Sequence, residues 1–239
     1  RVSPWPRWID RLAAHRWAAA PAARLRCDDA WAKDAEGNLV DSAVRRAKET
    51  LLEPVATTLR GIDPIVMTVV ATGLGVAAGV AGWQQAYLPG LALFLLSKLA
   101  DGLDGTLARM RNAQSDLGGY LDILSDTLIW GAVPLGLALG QPSTELLASL
   151  VLLLFGIYLN TASWMYLAAV MEKRQRGAQI GPGATTVNMP VGLMEGTETI
   201  LVYCVFFLFP GALAPLFLGM AGLAVTTVLL RLFWAIRHL

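Results

Sequence analysis

Histidine and cysteine are scarce in this chain of 239 residues, with two of each: His15 and His238, Cys27 and Cys204. Both histidines lie outside the apolar body, which argues against a Ser-His-Asp triad or a histidine-rich zinc centre there. The cysteines match no metal-ligand spacing. One sits in a charged stretch and the other in an apolar one, a poor basis for a disulfide. Charge is scarce too: Asp, Glu, Lys and Arg make up 15% of residues, against about 25% in a typical soluble domain. With 55% hydrophobic residues and a mean hydropathy of +0.53, the composition is that of a chain whose solvent is largely lipid. A net charge of +1 points to no nucleic-acid partner.

The apolar residues fall into segments that predict an all-α polytopic membrane protein. Six spans are expected, at 65–87, 89–110, 119–140, 145–171, 189–209 and 212–232. Each reaches the ~20 residues a helix needs to cross ~30 Å of hydrocarbon. Turn residues mark the breaks: Pro89-Gly90, Gly140-Gln141-Pro142, Gly181-Pro182-Gly183 and Pro210-Gly211. Basic residues segregate. Eleven of the nineteen Lys and Arg precede Ile65. Arg109 and Arg111 flank the second turn, Lys173, Arg174 and Arg176 the fourth, and Arg231 and Arg237 the C-terminus. With six spans all of these fall on one side, giving a topology with both termini in the cytoplasm. Gly73, Gly75, Gly79 and Gly82 form a small-residue path along the first span, as close helix packing requires.

Residues 1–60 read as a separate cytoplasmic or interfacial region, and residues 61–239 as the membrane domain. Trp5, Trp8, Ile9 and Leu12 recur at helical spacing opposite Arg7, Asp10 and Arg11, the pattern of an amphipathic helix lying in the headgroup layer. A second such stretch is expected over roughly 41–60, docking at the cytoplasmic mouth.

Catalysis is left to the acidic residues. Asp101, Asp104, Gly105 and Ala108 are spaced i, i+3, i+4 and i+7, and so share one helical face. Gly118, Asp122 and Asp126 are spaced i, i+4 and i+8, again one face. A short turn near Asn112–Ser115 folds the two helices antiparallel and can bring four carboxylates together at the cytoplasmic edge of the bilayer. Such a cluster must be protonated or neutralised by cations. Oxygen-only ligands suit Mg²⁺, Mn²⁺ or Ca²⁺. Four carboxylates can hold two such ions, a recurrent device for displacement at phosphorus. Small residues on the same faces leave room for a flat group such as a nucleotide base. Lys98, one turn before Asp101, can either face the cluster and damp its charge or snorkel elsewhere.

Segment 101–126 resembles the signature of the CDP-alcohol phosphotransferase (CDP-alcohol phosphatidyltransferase) family: Asp-x-x-Asp-Gly-x-x-Ala-Arg, a spacer, then Gly-x-x-x-Asp-x-x-x-Asp. All eight specified positions match. Outside this segment the fit is looser, resting on the span count, the amphipathic N-terminal helix, and Pro64 and Thr68 opening the first span. The resemblance implies a phospholipid-synthesis transferase of the bacterial inner membrane, with its site on the cytoplasmic side. It would move a phosphatidyl group from CDP-diacylglycerol to the hydroxyl of a small polyol or polyol phosphate, releasing CMP. It further implies Asp101, Asp104, Asp122 and Asp126 as ligands of two Mg²⁺ or Mn²⁺ ions, and Asp126 also as general base. Gly105, Ala108, Arg109 and Gly118 become the residues beside the CDP moiety, and the chain a homodimer. Two alternatives stay open: transfer from CDP-choline or CDP-ethanolamine to diacylglycerol, and, in another class, a divalent-cation transporter.

The acceptor side is ambiguous. Glu195, Glu198 and Thr199 share one helical face, either as an acceptor pocket or as a polar helix start in the interface. The run Glu195–Thr199 resembles one in a bacterial subgroup of the family, which does not fix the acceptor. Arg111, Lys173 and Arg174 can bind an anionic acceptor or serve only as positive-inside residues. In the fourth span, Tyr158, Asn160, Thr161, Ser163 and Tyr166 are expected to hydrogen-bond between helices.

Overall fold

The computed structural model describes residues 54–178 and 196–239, and every regular element among them is helical. In chain order these are α1 (Pro64–Trp83), α2 (Tyr87–Met110), α3 (Asp116–Gly140), α4 (Thr144–Ala178), α5 (Gly196–Leu208) and α6 (Leu213–His238), with a 3-10 turn at Pro210–Ala212 before α6. Four segments are long and apolar enough to cross a membrane: Pro64–Trp83, Asp116–Gly140, Thr144–Arg174 and Pro210–Arg237. They make the chain an integral membrane protein. The remaining two expected spans differ from this. α2 has the length, with 24 residues, but Lys98, Asp101, Asp104 and Arg109 fill its second half. α5 has 13 described residues, short of a full crossing; the earlier part of the expected span 189–209 lies outside the described residues.

So do the amphipathic helix of residues 5–12, most of the 41–60 stretch, and the Gly181-Pro182-Gly183 break. Residues 54–58 are helical. There Ala56, fully buried, packs in one cluster with Met67, Ala71, Ala100, Leu103 and Leu107, so the chain entering α1 covers the end of the α1–α2 pair that carries the aspartates.

Local sequence sets the helix starts. Asp63 holds an extended conformation and accepts a hydrogen bond from the Ile65 amide at 2.9 Å, with Pro64 in the first turn, a helix N-cap followed by a residue with no amide to satisfy. Ser115 caps α3 by accepting from the Gly118 amide at 3.1 Å. The turn between α2 and α3 falls where the sequence predicted it, and Asn112 takes a left-handed corner there, with φ 50°, which asparagine tolerates better than most residues. Pro89 and Gly90 do not form the expected break. They lie in the first turn of α2, where a proline removes no helical hydrogen bond.

The glycine path performs the expected packing in part. A Cβ on Gly136 would stand 1.9 Å from the carbonyl oxygen of Gly79, and one on Gly79 would stand 2.6 Å from that of Ala132. α1 and α3 therefore cross with backbone against backbone. Gly75 and Gly82 meet Ile129 and Leu137 of α3, whereas Gly73 faces open space. Apolar attraction is weak between helices surrounded by lipid tails, so close approach supplies the van der Waals contact instead. Elsewhere an aromatic cluster joins the helices. Phe94 of α2 stacks on Tyr203 of α5 at 5.6 Å, and Trp130 of α3 meets Tyr203 edge-on at 4.8 Å. The Tyr203 hydroxyl donates to the Trp130 carbonyl at 2.5 Å. Large apolar side chains such as Leu88, Val151, Leu201 and Ile236 stand exposed on the outer surface, a distribution that suits lipid contact.

Gly136→Ala is expected to lower the thermal midpoint of the detergent-solubilised protein, by the overpacking cost of about 1–3 kcal/mol or more. Gly73→Ala, with nothing in its way, leaves the midpoint unchanged or slightly raised. Thermal unfolding followed by fluorescence-detected size exclusion checks both.

Candidate active site

Two helices present the acidic residues to each other. Asp101 and Asp104 lie on α2 and Asp122 on α3, and one carboxylate oxygen from each falls within 4.8 Å of the others. Asp104 is buried, and Asp101 and Asp122 are half-buried. The antiparallel hairpin expected from the spacing is thus present, and it gathers three of the four acids.

Neighbouring polar groups orient this trio. Thr68 of α1 donates to Asp104 Oδ2 at 2.6 Å, so the first helix also contributes to the site. One turn further along, the hydroxyls of Thr72 and Ser125 lie 2.5 Å apart, linking α1 to α3. Ser97 donates to the Ala71 carbonyl at 2.7 Å. These contacts fix α2 and α3 against α1 at the height of the carboxylates.

The fourth acid, Asp126, has a different partner. Lys98, 7% exposed, donates to its carboxylate in a close ion pair. The same ammonium lies 4.0 Å from Asp101 Oδ2 and 4.7 Å from the centroid of the Trp130 ring. A lysine buried at this depth requires compensation, and here two carboxylates and an aromatic face supply it. Asp126 is therefore engaged by Lys98, beside the trio.

The donor set suits a hard divalent cation. Three converging carboxylate oxygens, with no cysteine or histidine in the group among the described residues, match the ligand preference of Mg²⁺ or Mn²⁺. Among the described residues no hydrogen-bond donor reaches the buried Asp101 Oδ1, while Oδ2 of the same residue faces Lys98. An oxygen shielded from water without a donor is a position that a cation would satisfy.

The other expected site residues divide. Gly105, Ala108 and Gly118 are half-buried. A Cβ on Gly105 would meet only Arg109 Nη1, at 3.6 Å, so the face beside the aspartates is open. Arg109 is exposed and lies 3.4 Å from Thr106 Oγ1. Arg111 donates to the Ile62 carbonyl at 2.7 Å, fastening the α2–α3 turn to the segment before α1. Lys173 and Arg174 are exposed, and Arg174 donates to the carbonyl of Leu239. Glu198 is exposed and Thr199 half-buried; Glu195 lies outside the described residues.

Behind Asp126 opens a cavity of about 200 Å³, lined in part by Asp126, Trp130, Asn160, Thr161, Thr199 and Met220. Of the residues expected on the acceptor side, Thr199 lines it, and Glu198, Arg111, Lys173 and Arg174 do not. Arg231 was read from the sequence as a basic residue flanking the C-terminus. It is buried there, and its Nη1 donates to both the backbone oxygen and Oδ1 of Asn160 at 3.1 Å. A cation on an otherwise apolar helix was the signal for this contact, since it must find an acceptor inside the bundle.

A family model described as CDP-alcohol phosphatidyltransferase matches residues 55–230, which contain Lys98, the four aspartates and the cavity lining. The chain belongs to this family. It is therefore a phosphotransferase of phospholipid biosynthesis, and the family depends on divalent metal. That membership sets aside the transporter reading. Among relatives, the chain is 40% identical over 155 residues to the Inner membrane protein YnjF of Escherichia coli, covering 63% of this chain and 71% of that protein. It is 33% identical over 79 residues to the CDP-diacylglycerol--serine O-phosphatidyltransferase of Mycobacterium bovis, 31% of this chain and 28% of that one. Among solved structures, the Mycobacterium tuberculosis phosphatidylinositol phosphate synthase with CDP-DAG bound superposes with a TM-score of 0.58 at 21% identity, over 79% of this chain and 92% of that chain. The same synthase in complex with manganese and citrate gives 0.55 at 22% identity, over 75% and 86%. At such identities the likeness establishes the shared family fold.

Mn²⁺ is expected to stabilise the purified protein, by about 2.7 kcal/mol at a hundredfold excess over Kd. Asp101→Asn and Asp122→Asn should each lose most of that gain. The check is the shift in thermal midpoint on adding Mn²⁺ to each variant; a full shift in either would remove that residue from the ligand set.

Proposed function

We propose that the chain transfers the phosphatidyl group of CDP-diacylglycerol to a hydroxyl of a small polyol or polyol phosphate, releasing CMP. The observation that carries this reading is the meeting of Asp101, Asp104 and Asp122 oxygens within 4.8 Å, with Asp126 beside them at the mouth of a cavity. One face of the acidic cluster is open enough for a nucleotide, and the cavity behind it has the scale of a small alcohol.

The roles follow from the chemistry of each group. Asp101, Asp104 and Asp122 would hold a divalent ion, which offsets the negative charge of the diphosphate when bound. A second ion requires Asp126 as well, and the Lys98 ammonium then competes with it for that carboxylate. Gly105, Ala108 and Gly118 leave space beside the aspartates for the cytidine, and Arg109 provides a cation at its edge. Asp126 accepts the proton of the attacking hydroxyl, a poor nucleophile until a base removes that proton. Lys98 holds the Asp126 carboxylate in one orientation.

The same reading gives six membrane crossings, with α2 and α5 joining the four apolar spans. Both termini and the metal site lie on the cytoplasmic side of a bacterial inner membrane. This is supported by the distribution of Lys and Arg between the turns. A homodimer follows from the family resemblance.

Asp126→Asn is expected to retain binding of CDP in the presence of Mn²⁺ while losing turnover by about 10²–10⁴-fold, the usual worth of a general base. Nucleotide-dependent thermal shift and CMP release measure the two separately. Near-normal turnover in the variant would take the proton from some other group. Activity with a small CDP-alcohol and diacylglycerol, but not with CDP-diacylglycerol, would reverse the donor.

A further inference from the structure

The cavity behind Asp126 belongs to the acceptor in the reading above, and its lining bears on which alcohol it takes. Among the described residues, Asp126 is the one charged group in that lining, and Lys98 already pairs with it. The other polar members are an amide, Asn160, and two hydroxyls, Thr161 and Thr199. Trp130, Met220 and their neighbours make the remainder apolar.

Two positions that a charged acceptor would need are already filled. An ammonium-bearing acceptor would seek Asp126 and the Trp130 face, and Lys98 Nζ lies at both. A second cation there meets repulsion. A phosphate-bearing acceptor would need a lining cation, and Arg111, Lys173 and Arg174 are elsewhere, two of them bonded to backbone carbonyls. Arg231 is not in the described lining and engages the two oxygens of Asn160, which is. An anion in the cavity would instead confront the Asp126 carboxylate. The Arg231 contact also fixes how Asn160 is used: with Oδ1 accepting from the guanidinium, the amide nitrogen remains as a donor. A hydroxyl can accept from such a donor while giving its own proton to a carboxylate.

We propose that this cavity selects an uncharged polyol, carrying neither phosphate nor amine, and that Asn160, held by Arg231, is a specificity-determining residue. The proposal rests on the transferase reading. In the step it implies, the polyol oxygen forms a bond to the phosphorus that bears diacylglycerol. The bond from that phosphorus to the CMP oxygen breaks, CMP leaves with the electron pair, and the hydroxyl proton passes to Asp126.

The test uses the full chain in lipid nanodiscs with Mn²⁺ and CDP-diacylglycerol. It compares glycerol and inositol with their monophosphates and with serine and ethanolamine, scoring CMP release and lipid product mass. An uncharged polyol is expected to exceed its monophosphate in kcat/KM by at least tenfold. Asn160→Leu should raise the KM for that polyol about tenfold, the worth of one lost hydrogen bond, with the KM for CDP-diacylglycerol and the Mn²⁺-CDP thermal shift unchanged. Thr161→Val, which leaves the Arg231 contact in place, should show the same split if the Asn160 variant does not fold. Preference for a monophosphate or an amino alcohol, or an unchanged polyol KM in the folded variants, overturns the proposal. So does nucleotide binding with no CMP from either uncharged polyol, which leaves the transferase reading intact. Loss of the Mn²⁺-CDP thermal shift in the unaltered protein would instead sink that reading itself.

Discussion

Carboxylates placed inside a helical bundle must be compensated where they stand, and much of the packing around α1, α2 and α3 follows from that constraint. Water cannot screen Asp104, which is buried, and the trio it forms with Asp101 and Asp122 is too close to persist as three bare anions. Thr68 supplies a hydrogen bond to one member, and Lys98 supplies a positive charge to another. Both donors come from helices that also carry the packing, so the electrostatic and steric requirements coincide. The backbone crossing of Gly79 and Gly136 brings α1 close to α3, and the Thr72–Ser125 contact lies along the same seam.

Lys98 connects the aspartate trio to the cavity. Its ammonium touches Asp126, approaches Asp101 and covers the Trp130 ring. Trp130 in turn contacts Tyr203 and Phe94, the centre of the aromatic cluster. A single buried cation thus links the acidic hairpin, the cavity and the core. Arg231 acts similarly on the far side, where it holds the backbone oxygen and Oδ1 of Asn160.

The acidic hairpin was legible because helical spacing is strict: residues at i, i+3 and i+4 must share a face, and a turn of known length must fold the two faces together. Asp101, Asp104 and Asp122 meet accordingly. The separate fate of Asp126 was less legible, since the spacing that groups it with Asp122 does not reveal that Lys98 reaches across from α2. Thr68 was noted only for its place at the start of the first span, and no local pattern in α1 announces a partner thirty-six residues away. Pro89 and Gly90 misled for a related reason. The same pair can break a helix or begin one, and here Gly90 lies in the first turn of α2, close against Phe207. The cavity was hidden for the same cause on a larger scale, being assembled from α3, α4, α5 and α6 with two or three residues from each.

Helix pairing divides the bundle unevenly. α1 lies along both α2 and α3, and α4 lies along α6, with sparser contact between α3 and α4. The aspartates occupy the first group, whereas most of the cavity wall comes from α4, α5 and α6. If the cavity receives the alcohol as proposed, a lineage of such enzymes can change which alcohol it consumes by altering the cavity-lining helices, while the ancestral phosphoryl chemistry is inherited intact.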